Sequence, residues 1–248
     1  MRVDERDQVA ILRLEAGKAN AMGPDFLLGV GRLLDEAEPR DPRAYVLVGY
    51  EKFFCAGLDL PALLPLDRPS LGEFMDLFAE TMLRVFALPR PVIAAVNGHA
   101  IAGGCVLALQ ADERLMAEEV GKIGLTEVPL GLGLPAEVVE TLRAQVPPSS
   151  LGPVALEGRT FSAREALALG LVHAAVPSAE LLDRAMARAQ ALAALPSPAF
   201  AQVKAALRRP VLETVTRVQR QEAKRWLDTW FSRPTQELLH AAVARLKK

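Results

Sequence analysis

The sequence predicts an α/β protein with a mostly parallel sheet, followed by a purely helical C-terminal segment. Three observations carry this. Short apolar runs rich in Val, Ile, Leu and Ala alternate with longer segments of helical period. Turns bearing glycine or proline follow those runs. Beyond Ser178 no run of strand character remains.

The first strand is Val9-Ala10-Ile11-Leu12-Arg13-Leu14. The stretch before it, Met1 to Asp7, mixes charges of both signs and has no apolar run, so it does not read as a signal peptide. Pro24 to Glu38 is a helix: Pro24 suits a first turn, and Phe26, Leu27, Val30, Leu33 and Leu34 recur at helical spacing. Ala44 to Gly49 and Val92 to Val96 are buried strands. Between them Glu51 to Pro69 is rich in glycine and proline, and a helix runs from about Ser70 to Leu88. Pro91 to Ala111 carries no formal charge and is as long as a membrane span. Asn97-Gly98-His99 and Gly103-Gly104 interrupt it, dividing it into a strand, a turn and a helix from about Gly103 to Ala111. Further on, Ser162-Ala163-Arg164-Glu165 is a capping box, in which serine and glutamate each satisfy a free backbone N–H. Gly170 suits the left-handed end of that helix, and Val172 to Val176 is a short edge strand. From Ser178 only helices follow, punctuated by Pro196, Pro198, Pro210 and Pro234. The shift near Pro196 divides the chain into an α/β core, 1–195, and a helical region, 196–248. Helices with no sheet to cover must bury their apolar faces elsewhere, so a subunit interface is expected there.

Composition excludes several functions. The 248 residues hold 29 Lys and Arg against 30 Asp and Glu, so nothing attracts nucleic acid globally. Aromatic residues are 5%, too few for base-stacking platforms. Two cysteines, Cys55 and Cys105, make neither a disulfide scaffold nor a four-cysteine zinc site, and each reads as a buried filler. His99, His173 and His240 are far apart, so no metal site is expected. With no targeting segment and no span, a cytoplasmic protein is expected, free of membrane and nucleic-acid partners. Gly131-Leu132-Gly133-Leu134-Pro135-Ala136 fits a loose dinucleotide fingerprint but lacks a strand before it. It reads as a loop with Pro135 starting a helix.

Two segments stand out. Phe53-Phe54-Cys55-Ala56-Gly57-Leu58-Asp59-Leu60 follows one buried strand, and Asn97 to Cys105, with Gly103-Gly104, follows the next. Small residues where strands leave a sheet let a ligand approach backbone N–H groups, and two such groups converging make an oxyanion hole. Close strand–helix packing explains the same residues equally well. In Ile123-Gly124-Leu125-Thr126-Glu127-Val128-Pro129, Glu127 is a lone carboxylate among apolar residues. A desolvated carboxylate can act as acid or base near neutrality. Taken alone, an exposed loop or helix-cap glutamate is the simpler reading.

The combination settles the balance. Pro91-Val92-Ile93-Ala94-Ala95-Val96-Asn97-Gly98 with Ala102-Gly103-Gly104-Cys105 and Leu107-Ala108-Leu109 up to Asp112 closely resembles the signature of the crotonase (enoyl-CoA hydratase/isomerase) family. Lys18-Ala19-Asn20-Ala21-Met22, Phe54 to Leu60, and Gly158-Arg159-Thr160-Phe161-Ser162-Ala163 through Gly170-Leu171-Val172 extend it over nearly the whole chain. The resemblance implies a spiral of ββα units with a C-terminal helical trimerisation region, a homotrimer or a dimer of trimers. It implies acyl-CoA thioester substrates, with coenzyme A as part of the substrate and no permanently bound cofactor. Carried over by position, the oxyanion donors are the N–H groups of Leu58 and Gly103, and Glu127 is the catalytic carboxylate. Ala56, Gly57, Asp59, Leu60, Gly104 and Thr126 line the substrate.

One position departs from the family's hydratases. They hold a water between two glutamates, and the first falls on Val106 here, which cannot hold or activate water. Moving a double bond needs no water and only one base. The chain therefore looks most like the Δ3,Δ2-enoyl-CoA isomerase branch. A hydratase-like enzyme, with His99 supplying the second group, and a non-catalytic acyl-CoA binder are the alternatives. Lys18, Lys204, Lys247 and Lys248 are candidates for the CoA phosphates, although each reads more simply as a solvated lysine. Trp226, Leu227, Trp230 and Phe231 share a helical face that suits core or trimer packing better than an acyl tunnel.

Overall fold

The computed structural model describes residues 1–246. The chain begins with a hairpin, β1 (Arg2–Arg6) antiparallel to β2 (Val9–Arg13), and continues into α1 (Pro24–Ala37) and β3 (Ala44–Val48). Next come β4 (Phe53–Cys55), α2 (Leu60–Leu63), α3 (Arg68–Ala87), β5 (Val92–Val96), β6 (His99–Ile101) and α4 (Gly103–Leu109). They lead to β7 (Glu113–Ala117), β8 (Ile123–Gly124), α5 (Ala136–Gln145), α6 (Leu151–Ala155), α7 (Ala163–Ala168) and β9 (Ala174–Val176). Three helices close the chain: α8 (Leu181–Ala193), α9 (Ser197–Trp230) and α10 (Arg233–Leu246).

A unit repeats three times. A strand of a large sheet leads into a strand of a small sheet and then a helix: β3 and β4 before α2, β5 and β6 before α4, β7 and β8 before α5. The large sheet has the order β1-β2-β3-β5-β7-β9 and is parallel apart from β1. The small sheet, β4-β6-β8, is parallel throughout. This is the ββα spiral that the resemblance implied.

The large sheet is covered on both faces, which explains its near-continuous apolar strands. Ile11, Val46, Ile93 and Leu115 pack beneath Leu181, Ala185, Met186 and Ala189 of α8. Their neighbours Leu12, Leu47, Ala94 and Met116 point the other way, into the main core with α1, α3 and the small sheet. Alternation along each strand thus feeds two cores.

Five strands escape the hydrophobic pattern. β1 is an edge strand of mostly charged residues, paired along its backbone with β2 and tied to it by an ion pair between Asp4 and Arg13. β4, β6 and β8 are two or three residues long, too short for any period. β7 starts with Glu113 and Arg114. Pro210 also departs from expectation, lying inside α9 rather than ending a helix. Among the described residues no helix is long and apolar enough to cross a membrane.

Candidate active site

β4 and β6 are parallel neighbours, so their carboxyl ends lie side by side. Ala56-Gly57-Leu58 leaves one and Ala102-Gly103 leaves the other. Gly57 has φ +87°, and a Cβ there would stand 2.6 Å from the Ile101 carbonyl oxygen and 3.2 Å from the Gly103 nitrogen. A Cβ on Gly104 would stand 2.0 Å from the Cys55 carbonyl oxygen. Only glycine lets these segments meet. Close packing of the two turns, one of the two readings of these glycines, is therefore present, and it leaves the other reading open.

Hydrogen bonding shows which N–H groups stay free. Met22 and Leu58 form a parallel bridge, in which Met22 N donates to Gly57 O at 2.7 Å and Asp59 N donates to Met22 O at 3.0 Å. Both bonds use the neighbours of Leu58, so the N–H of Leu58 points to the opposite side. Gly103 is the first residue of α4, whose opening N–H groups have no partner within the helix. Ala102 turns the strand into that helix at φ 50°, with its N–H on Gly124 O at 2.8 Å. Asn20, fully buried, holds the segment beneath. Its side-chain amide donates to Leu14 O at 2.6 Å and Phe54 O at 3.0 Å, and its Oδ1 accepts from Ala16 N at 2.8 Å.

Glu127 follows β8, just before the 3-10 turn Val128–Leu130. The residue is half-buried. Its Oε2 is buried and has no hydrogen-bond partner among the described residues. Burial pushes its carboxyl up from 4.5 to about 7, against a smaller opposing pull from the N–H groups of Glu127 and Thr126. The exposed-loop reading of Glu127 is thereby corrected: burial takes the water from one carboxylate oxygen. Cys105 lies close enough to feel that charge. Burial first, then Glu127, raises its thiol far out of the reactive range. Val106, on the same turn of α4, is 1% exposed.

The other candidates divide between the turn that carries Leu58 and places outside this group. Asp59 caps α2, accepting from Ala62 N at 3.3 Å, and Leu60 begins that helix. His99 sits at the start of β6, the end remote from Gly103, with its ring 5.4 Å from that of Phe53. Cys55 is buried, donating to Asn20 O at 3.0 Å. Lys204 is neither solvated nor free for a phosphate: it is 6% exposed and donates to Asp112 at 2.6 Å and Arg90 O at 2.9 Å. Lys18 is exposed, while Lys247 and Lys248 lie outside the described residues. Trp226 and Trp230 are buried with centroids 5.2 Å apart, Leu227 is half-buried and Phe231 is 36% exposed. Glu137 was not singled out from sequence, since an acid in a helix's first turn is ordinary; it is 4% exposed.

The sequence profile of the Enoyl-CoA hydratase/isomerase family matches residues 4–247. The chain belongs to the enoyl-CoA hydratase/isomerase family. It is 38% identical over 199 residues to a Thermus thermophilus protein provisionally named an enoyl-CoA hydratase, covering 76% of each chain. It is 37% identical over 183 residues to carnitinyl-CoA dehydratase of Salmonella paratyphi A, covering 73% of this chain and 69% of the relative. In structure it is similar to human mitochondrial delta3-delta2-enoyl-CoA isomerase, with a TM-score of 0.93 and 26% identity over 100% of this chain and 98% of that one. The names of these family members divide between hydration, dehydration and isomerisation. The chemistry of this chain turns on its own residues.

Proposed function

We propose that this family member moves the double bond of a 3-enoyl-CoA to the conjugated 2-position. One observation carries this: a desolvated Glu127 stands by the paired turns, while Val106 occupies the position where the family's hydratases have their other glutamate. The overall likeness to the human isomerase supports it.

Three steps follow. The thioester oxygen sits between the N–H groups of Leu58 and Gly103, which stabilise negative charge on it. Ionised Glu127 takes a proton from C2, leaving an enolate spread onto that oxygen. Protonated Glu127 returns the proton at C4, and the electron pair settles as the C2–C3 double bond. A base that must both take and give a proton works best with a pKa near the working pH, which burial of Glu127 supplies. Ala56, Gly57, Asp59, Leu60, Gly104 and Thr126 form the surrounding walls. Coenzyme A belongs to the substrate, and no resident cofactor enters. The helical region from 196 carries the subunit contacts of a trimer or dimer of trimers, a reading supported by the outward-facing Val203 and Leu207, 59% and 73% exposed.

The names of the curated relatives favour a second reading, hydration. A paired assay separates the two. One arm offers a trans-3-enoyl-CoA and follows the conjugated thioester's absorbance; the other offers a trans-2-enoyl-CoA and follows its loss. Fast gain with little loss is expected. Glu127→Gln should lose isomerase rate by at least about a hundredfold, the scale of one positioned acid–base group. In the wild type kcat/KM should rise with pH through about 7, as Glu127 ionises. Fast hydration, or a fully active Glu127→Gln, would sink the isomerase reading. Silence in both arms would leave an acyl-CoA binder or a different thioester specificity.

A further inference from the structure

The backbone of Glu127 is held from an unexpected quarter. Its carbonyl oxygen accepts from Leu132 N at 3.1 Å as well as from Leu130 N at 2.9 Å. The residues on either side of Leu132 are clamped by the C-terminal helices. Thr235 Oγ1, in the first turn of α10, donates to Gly131 O at 3.0 Å. Trp226 Nε1, near the end of α9, donates to Gly133 O at 3.1 Å. Ser232 Oγ in turn donates to Thr235 Oγ1 at 3.1 Å. Thr235 is 3% exposed and Trp226 5%. Gly131 permits the approach: its φ is +74°, and a Cβ there would stand 2.8 Å from Thr235 Oγ1. Both outer carbonyls of a three-residue loop are thus fixed by side chains about a hundred positions away, and the middle N–H fixes Glu127.

We propose that Thr235 and Trp226 are positioning residues for the base at Glu127, so that the C-terminal helices complete the active site of their own subunit. This rests on the reading of Glu127 as the acid–base group. Glu127 Oε2 has no hydrogen-bond partner among the described residues, and the N–H groups that act on the carboxyl are those of Thr126 and Glu127 themselves, so the carboxyl moves with its own backbone. Shifts of about 1 Å at a reacting group can cost a hundredfold in rate.

The test compares Thr235→Val, which swaps the hydroxyl for a methyl, with Thr235→Ser, which keeps it, and with Trp226→Phe, which removes the indole N–H. Circular dichroism and melting establish that each is folded. Thr235→Val should lower kcat at least tenfold with KM within about twofold, and Thr235→Ser should recover most of that loss. Loosening the loop admits water to Glu127, so the acid limb of the pH–rate profile should move to lower pH. Trp226→Phe should shift both readouts the same way, and it carries the test if Thr235→Val does not fold. Unchanged kcat and acid limb in the folded variants, with Glu127→Gln inactive, would overturn the positioning role and leave the base assignment standing. A raised KM with unchanged kcat would overturn it too, making the clamp a binding wall. Full activity in Glu127→Gln would remove the base and the positioning role together.

Discussion

Glu137, in the first turn of α5, shares with Glu127 a carboxyl raised from 4.5 to about 7. The main cause is burial; its own N–H opposes this, and the like charge of Asp76 adds to it. A carboxyl whose folded value is raised contributes stability below its unfolded value and loses it as pH rises through the folded one, here from 4.5 to about 7. Above that window the ionised group costs the fold about 1–3 kcal/mol. Glu137→Gln should therefore stabilise the protein by about that amount at pH 8 and by almost nothing at pH 5. Urea titrations at the two pH values check this, and an equal gain at both would refute it. The perturbation of either glutamate was invisible in sequence, because it depends on which atoms the fold brings around the carboxyl. Glu127 stood out only through the motif around it, and Glu137 had no such motif.

Elements were legible wherever a pattern had room to repeat. α1 and the strands β2, β3 and β5 fall within a residue or two of their expected bounds. The capping box of α7 is present in both directions, with Glu165 N donating to Ser162 Oγ at 3.4 Å and Ser162 N donating to the Glu165 carboxylate at 2.8 Å. Ser162→Ala should cost about 1 kcal/mol, the usual worth of such a cap, measured as a shift in the urea midpoint at constant slope. Where tertiary contacts outweigh local preference, the reading fails. Pro210 lies within α9 because the helix is held on both sides of it: Lys204 and Arg208 bind Asp112, and Val211 and Val215 pack on Phe86. A proline costs an interior helix about 3 kcal/mol, and anchored neighbours carry that cost. β1 shows the reverse: an outer strand needs only one partner's backbone, so its charged residues gave no signal.

Across the whole molecule, Asp112 joins the helical region to the large sheet. Its carboxylate accepts from Val92 N at 2.8 Å and from Lys204 Nζ at 2.6 Å, and it also meets the Arg208 guanidinium. Arg208 further donates to Gln110 O at 3.1 Å and lies 3.9 Å above the Phe86 ring. Burial lowers Lys204 to about 8, although Asp112 pulls the other way. Removing the carboxylate would strand two buried cations, an imbalance worth about 3–5 kcal/mol. Asp112→Asn should lower the unfolding free energy by that amount and speed amide exchange in the first half of α9. A loss under 1 kcal/mol would mean that this cluster does not hold the helix down.

By itself the sequence determined the α/β class, the family and the segments that build the paired turns, because periodicity, caps and glycine spacing are local and survive in one dimension. It also supplied, through the family resemblance, the expectation that Val106 stands at the hydratases' other glutamate position. The tertiary structure alone decided that Glu127 Oε2 is buried with no hydrogen-bond partner among the described residues, that Lys204 is spent on Asp112, and that Thr235 and Trp226 reach the loop behind Glu127. Those outcomes depend on contacts between residues far apart in the chain, and solvent exclusion arises only once such contacts close.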